Sequence, residues 1–284
     1  MIDVKNISFK YAGQKDLVFD DFSLSLEANR IYGLLGKNGT GKSTLLYLIS
    51  GLLRPKTGSV SYDGVETKLR KPETLSEIFI VPEEFDLPAM SLEQYVKINE
   101  PFYPRFSRDV LEACLKDFEL TTDLKLNALS MGQKKKVFMS FALAAGTKVL
   151  LMDEPTNGLD IPSKSQFRKV IAQHMTEDRT LIISTHQVHD VEPLLDHLLI
   201  LADSTLLLNA SVQNLTDRYA FTLRPAGMPP APSVVGDSVA DNAVLYAEPT
   251  LQGNAVITRR REGDPETPLN LELLFNAVTK GLLK

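Results

Sequence analysis

One cysteine, Cys114, is all that the 284 residues contain. A lone thiol excludes an internal disulfide and any metal site built from several cysteines, and it fits a reducing compartment. Long apolar runs are missing as well. No segment reaches the roughly 18 uninterrupted apolar residues of a membrane-spanning helix. The most apolar stretch, Leu194 to Leu208, is broken by Asp196, His197 and Asp203. The first residues, MIDVKNISFKYAG, lack the basic-then-apolar order of a secretory signal, so the chain is expected neither to span a membrane nor to be exported. Positive charge is in deficit too. With 31 Lys and Arg against 36 Asp and Glu the formal net charge is -5, which argues against a nucleic-acid partner held through its phosphates.

What is present is an ordinary globular composition, 43% hydrophobic and 24% charged. The length suffices for one large α/β domain with a buried core plus a smaller appendage. Apolar runs bounded by turn residues predict strands, and three-to-four spacing predicts helices. Val4 to Phe9 and Phe22 to Leu26 are expected as edge strands, and Ile31 to Leu35 as a buried central strand entering a glycine-rich loop. A helix follows from about Ser43 to Ser50, then strands at Gly58 to Tyr62 and Ile78 to Val81. Ser91 and Gln94 have capping-box spacing, and Leu111, Cys114, Leu115 and Phe118 mark one face of a further helix. After it come a helix over Ser130 to Ala145, strand Val149 to Met152, helix Pro162 to Met175 and strand Leu181 to Ser184. Such alternation indicates a parallel sheet covered by helices. Asp203-Ser204 is the turn of a closing hairpin between Leu198–Ala202 and Thr205–Asn209. Beyond Tyr219 the character changes to a turn-rich GMPPAP run (Gly227 to Pro232), short strands at Ala243–Ala247 and Ala255–Thr258, and an amphipathic helix from about Asn270 to Lys280. Arg259-Arg260-Arg261 reads as a solvated strand end.

Gly36-Lys-Asn-Gly-Thr-Gly41-Lys42-Ser43 has the spacing G-x-x-x-x-G-K-[ST] and lies between a predicted strand and a predicted helix. Glycines let backbone N–H groups turn inward around a polyphosphate, and the helix N-terminus adds positive potential. Lys42 is placed to reach β- and γ-phosphates, and the Ser43 hydroxyl to ligate Mg²⁺. Downstream, the apolar strand Val149 to Met152 ends in Asp153-Glu154 at the sheet edge where α/β proteins bind ligands. Asp153 is then a metal ligand, direct or through water, and Glu154 the general base for an attacking water.

At Leu129-Ser130-Met131-Gly132-Gln133 the sequence resembles the ATP-binding cassette (ABC) family, whose L-S-G-G-Q signature this segment approximates. The resemblance spans about Met1 to Tyr219. It implies a P-loop NTPase fold of the α/β class: a mixed central sheet, an antiparallel edge subdomain and a helical subdomain over about 88–145. Residues 220–284 are then a small α+β accessory domain. The resemblance implies ATP contacts from Tyr11, stacked on adenine, and from Gly36, Asn38, Gly39, Thr40, Gly41, Lys42, Ser43 and Thr44. It implies that Ser130, Gly132 and Gln133 touch the ATP of a second subunit, that Asp160 crosses the dimer interface, and that His186 contacts the γ-phosphate. His186 is preferred to His174, His189 and His197 because it ends a strand in Ser-Thr-His.

Two positions depart from the family pattern. Met131 replaces a signature glycine. Glu83, after Pro82, stands where the family has glutamine and receives a metal role beside Ser43 and Asp153. The implied function is ATP hydrolysis, with ATP and Mg²⁺ as cofactors, coupled to transport. Export fits best. The implied partners are a second cassette, identical or homologous, and separate membrane permease subunits docked near Phe85, Phe102, Tyr103 and Phe106. The implied place is the cytoplasmic face of the membrane. A soluble ABC ATPase acting on ribosomes, DNA or protein assembly is the alternative. A catalytically dead scaffold is a third reading, opposed by the retention of Lys42, Asp153, Glu154 and His186.

Overall fold

The computed structural model describes residues 1–225, 244–261 and 263–283. The GMPPAP run and Ala243 lie outside them. Strands β1 (Ile2–Phe9) and β2 (Phe19–Leu26) open the chain, and β3 (Ile31–Leu35) runs through the glycine-rich loop into α1 (Lys42–Ile49). Next come β4 (Thr57–Tyr62), β5 (Val65–Glu66), α2 (Pro72–Leu75) and β6 (Ile78–Val81). Three helices follow, α3 (Leu92–Asn99), α4 (Arg108–Asp117) and α5 (Met131–Ala144). Then β7 (Val149–Asp153), α6 (Ile161–His174) and β8 (Thr180–Thr185) lead to the hairpin β9 (His197–Ala202) and β10 (Thr205–Ser211). The chain ends in α7 (Val212–Arg218), β11 (Tyr219–Arg224), β12 (Val244–Thr250), β13 (Gly253–Arg259) and α8 (Leu271–Thr279).

The central sheet has the order β10-β9-β3-β8-β7-β6. All neighbours pair in parallel except β10, which turns back along β9. That reversal uses Asp203 and Ser204, both at positive φ (45° and 61°), the geometry a two-residue hairpin needs to match strand twist. β7 shows why its sequence is a continuous apolar run. Leu150 and Met152 pack into the cluster formed with the helical region, while Val149 and Leu151 pack into the cluster under α1 and the small sheet. A parallel strand covered on both faces has no polar side to show.

The smaller antiparallel sheet has the order β2-β1-β4-β5. Val4 to Phe9 was expected at an edge. It lies instead between β2 and β4, because β4 returns antiparallel to β1 with Val4 opposite Val60. In the helical region Ser91 and Ser130 each close a full capping box, with Gln94 and Gln133. Phe141 is the hub there, its ring 5.2 Å from Tyr95, 5.1 Å from Phe106 and 5.9 Å from Phe79.

The third sheet, β11-β13-β12, carries α8 on one side. Its Phe221, Tyr246 and Ile257, and Leu271 and Leu274 of α8, belong to the same hydrophobic cluster as Met152 and Phe141. β11 begins at Tyr219, the residue where the first domain was expected to end. The arginine run also differs from expectation. Arg260 is half-buried, donates to the Thr216 and Asp264 carbonyls, and lies 3.7 Å from Asp217 and Glu266. It is a brace between α7 and the loop after β13.

Candidate functional site

Parallel register brings four strand ends to one edge. Leu35 pairs with Thr185, Asp153 with Ser184, and Val81 with Met152. The loops that leave these ends therefore carry the phosphate loop, Glu154, His186 and Glu83 side by side. Among them lies a cleft of about 350 Å³ whose wall includes Tyr11, Asn38, Lys42, Ser43, Glu83 and Glu154.

The phosphate loop closes on itself. Lys42 Nζ donates to the Gly36 carbonyl at 2.8 Å and the Lys37 carbonyl at 3.2 Å, and Thr40 Oγ1 donates to Lys37 at 2.9 Å. Gly41, at φ +98°, caps α1. A side chain there would be strained and its Cβ would sit 2.9 Å from the Phe19 ring, so the sequence must place glycine at this point. At Gly36 a Cβ would lie 2.6 Å from the Leu201 carbonyl, so the loop passes directly over β9. Tyr11 covers the mouth, its hydroxyl 3.0 Å from Thr44 Oγ1 and its ring edge-on to Phe9.

Glu154 is fixed from several directions. Its backbone is left-handed (φ 45°), with the N–H donated to the Ser184 carbonyl at 3.0 Å. Its Oε2 accepts from Thr185 Oγ1 at 3.1 Å and from the His186 N–H at 3.4 Å. Its Oε1 is 2.9 Å from His186 Nδ1 and 3.6 Å from Lys42 Nζ. Strain of this kind at a non-glycine residue persists where the surroundings over-determine it.

Asp153 sits beneath. Its Oδ1 accepts from the Ser184 hydroxyl, whereas Oδ2 is buried without a hydrogen-bond partner among the described residues. Burial pushes the carboxyl above its usual range, opposed by the neighbouring Ser184 and Ser43 hydroxyls. A buried carboxylate oxygen left unpaired and flanked by a serine hydroxyl fits a hard divalent cation such as Mg²⁺. Among the described residues no three His, Cys, Asp or Glu side chains converge as a self-sufficient metal cage.

Glu83 reaches the cleft, with its Oε1 accepting from Asn157 Nδ2 at 2.7 Å. Ser130, Gly132 and Gln133 do not line this cleft; they sit at the N-terminus of α5, where Gln133 is engaged in the cap with Ser130. Asp160 caps α6, its Oδ1 accepting from the Ser163 N–H at 2.9 Å. The Ser163 side chain first, and then this N–H, hold its carboxyl below the usual range. Sequence reasoning passed over Ser184, Thr185 and Asn157, which hold the acids in place. Ser184 and Thr185 acquire that role only through strand pairing, and Asn157 carries no motif at all.

A second hollow, about 830 Å³, opens between the sheet edge and the helical region, lined by Leu52, Ile78, Tyr95, Phe102, Tyr103 and Phe138 among others. Phe102 is 67% exposed at its rim. Phe85 packs on Phe138 (4.6 Å), Tyr103 on Phe79 (5.4 Å) and Phe106 on Phe141 (5.1 Å).

The ABC transporter family model matches residues 19–157, from β2 through β7 to Asn157. The cytochrome c biogenesis ATP-binding export protein CcmA of Gluconobacter oxydans is 34% identical over 186 residues, 66% of this chain and 81% of that protein. The chain belongs to the ABC transporter ATP-binding family. Two further ABC relatives are the ATP-binding protein YtrB of Bacillus subtilis and the energy-coupling factor transporter ATP-binding protein EcfA2 of Mycoplasma genitalium. YtrB is 29% identical, matched over 77% of this chain and 75% of its own length; EcfA2 is 30% identical, over 93% and 86%. Among solved folds, the structure of an ATP-binding subunit of an ABC transporter superposes with a TM-score of 0.67 at 24% identity, covering 75% of this chain and 91% of that one. The ABC cassette MJ0796, solved as a dimer, gives 0.65 at 24% identity, covering 75% and 99%. The protein is thus an ATP-binding subunit of an ABC transporter and an ATPase of that type.

A carboxyl whose pKa is raised in the folded state penalises folding once pH exceeds its ordinary value, and the penalty vanishes at low pH. Asp153→Asn is therefore expected to raise the melting temperature of the nucleotide-free ABC subunit at pH 8, by about 2 °C or more. The gain should shrink toward pH 4. Differential scanning calorimetry across that range checks it, and a lower melting temperature at pH 8 would show that Asp153 is stabilising as the anion.

Proposed function

We propose that two copies, or this chain and a homologue, sandwich two ATP molecules, each phosphate loop facing the other subunit's Ser130–Gln133 segment. The proposal is supported by the wall of the cleft that holds Lys42 and Glu154, which, among the described residues, includes none of Ser130, Gly132 and Gln133 at the α5 N-terminus. An anion suits that N-terminus, and the cassette MJ0796 was solved as a dimer. Within the cleft Tyr11 stacks on the adenine, while the loop from Gly36 to Thr44 and Lys42 hold the phosphates. Ser43 and Asp153, with Glu83 at a distance set by Asn157, are the residues that would hold Mg²⁺. The ion, when bound, neutralises the charge that develops on the β- and γ-phosphates.

Glu154 accepts a proton from the attacking water as its oxygen bonds to the γ-phosphorus. The bond to the bridging oxygen breaks, and ADP and phosphate result. His186, hydrogen-bonded to Glu154, orients that carboxylate and faces the γ-phosphate. A phosphate in the loop competes with Glu154 for Lys42, which frees the carboxylate to engage water. The observation that carries this reading is Glu154 itself, held by Thr185, His186 and Lys42 in a backbone conformation that only a designed environment sustains.

Hydrolysis is coupled to transport, we propose in the direction of export, through separate permease subunits on the cytoplasmic face of the membrane. CcmA bears an export name, and no described helix is long and apolar enough to cross a membrane. The 830 Å³ hollow with Phe102 at its rim is the dock. Phe85, Tyr103 and Phe106 contribute through the aromatic packing that shapes it. The accessory region over 220–284 acts on the segment after His186. α8 packs against Val188–Asp190, Glu272 lies 2.9 Å from His189, and Glu192 accepts the Leu271 N–H at 3.1 Å.

Glu154→Gln is expected to abolish turnover and to form dimers when ATP is added, seen by size exclusion with light scattering. Retained turnover, or a monomer at saturating ATP, would oppose the sandwich. Phe102→Asp should leave the ATPase of the isolated subunit within about twofold, as surface changes do, and prevent co-purification with the permease encoded for it. A complex that survives this change moves the dock elsewhere, and a substrate-binding protein within the complex would overturn export. Glu192→Ala with Glu272→Ala should alter dimerisation or turnover at unchanged nucleotide affinity. No change in either would leave the accessory region without this role.

A further inference from the structure

Three consecutive lysines follow Gln133 in α5, and they go to three places. Lys134 pairs with Asp86 at 2.9 Å and Lys136 donates to Gln166 at 2.8 Å. Lys135 is buried, 6% exposed. Its Nζ donates to the Asn157 carbonyl at 2.7 Å and reaches the Glu154 carbonyl at 3.5 Å. The Glu154 carbonyl also accepts the Asn157 N–H at 3.1 Å, so the ammonium clasps the turn that follows the strained Glu154. The Asn157 side chain extends the chain of contacts to Glu83 in the cleft, at 2.7 Å.

Burying an ammonium is costly unless it is paired and hydrogen-bonded. Burial accordingly pushes the Lys135 ammonium below its usual range, opposed by Glu83, Glu154 and Asp153. Such a group is retained for what it holds. Here it holds two backbone carbonyls to which, among the described residues, no other side chain donates a hydrogen bond, on the short segment between Glu154 and the Asp160 cap.

We propose that Lys135 is a positioning residue: it pins the Glu154–Asn157 turn to the signature helix α5, so that nucleotide seated on Ser130 of a chain sets the position of Glu154 in that chain's own cleft. Each α5 serves the opposite ATP and each Glu154 its own, so this pin couples the two hydrolytic sites of the dimer. The inference rests on the roles given above to Ser130 and Glu154.

The test is Lys135→Met, which keeps an unbranched apolar stem and removes the charge. Turnover should fall about tenfold or more, since a displacement near 1 Å can cost about 100-fold. The Hill slope of ATPase against ATP should drop toward one. Affinity of the subunit for a fluorescent ATP analogue should stay within about twofold, because the loop from Gly36 to Thr44 is untouched. Wild-type rate and slope overturn the proposal, as does a loss of rate matched by an equal loss of affinity. Should Lys135→Met fail to fold, Lys135→Gln, polar enough to face the two carbonyls, is judged by the same two readouts. Glu154→Gln separates the premises. If it retains turnover, the role of Glu154 fails, whatever Lys135 does.

Discussion

The cleft depends on the parallel pairing of β3, β8 and β7. Lys42 and Glu154 are 112 positions apart in the chain, and nothing local brings them together. Pairing Leu35 with Thr185 and Asp153 with Ser184 does. A shift of one residue in β7 would turn Asp153 to the other face and exchange Leu150 and Met152 with Val149 and Leu151 between two separate cores. Burial on both faces thus locks the register, and the register sets the chemistry.

Against that frame the polar groups are expensive. Lys42, Asp153, Glu154 and Lys135 are all buried, and buried ion pairs are often no more stable than an apolar replacement. Their arrangement makes sense as preparation for a polyanion and a cation. Lys42 leans on Glu154, and Asp153 keeps one oxygen without a partner. The site is held open by groups that satisfy one another in part and that nucleotide and Mg²⁺ would satisfy in full.

The C-terminal region is continuous with this machinery. Its sheet and α8 share a hydrophobic cluster with the helical region, and α8 rests on the segment that begins at His186. Arg260 ties α7 to the loop beyond β13. The region thus shares one hydrophobic core with the motif-bearing part.

Much of this was legible in one dimension. The phosphate loop, the apolar strand ending in two acids, the Ser130 cap and the helix and strand positions follow from spacing, because backbone geometry and capping act over a few residues. The strand Ile78–Val81 was located to the residue, and the hairpin turn at Asp203-Ser204 matched its φ requirement. What local pattern could not carry was neighbourhood. It misplaced β1 at an edge, since sheet order is decided by which strands meet in space, and it left Arg260 in solvent. Of the four aromatics expected at the dock it could not tell Phe102, exposed, from Phe106, packed on Phe141. Ser184, Thr185, Asn157 and Lys135 belong to the site only because strands and a helix remote in sequence converge there. The sequence by itself determined which residues are candidates for the chemistry, through residue type and local spacing. Only the tertiary structure decided which side chains hold them, because hydrogen bonds and buried charges are settled between elements and not along the chain.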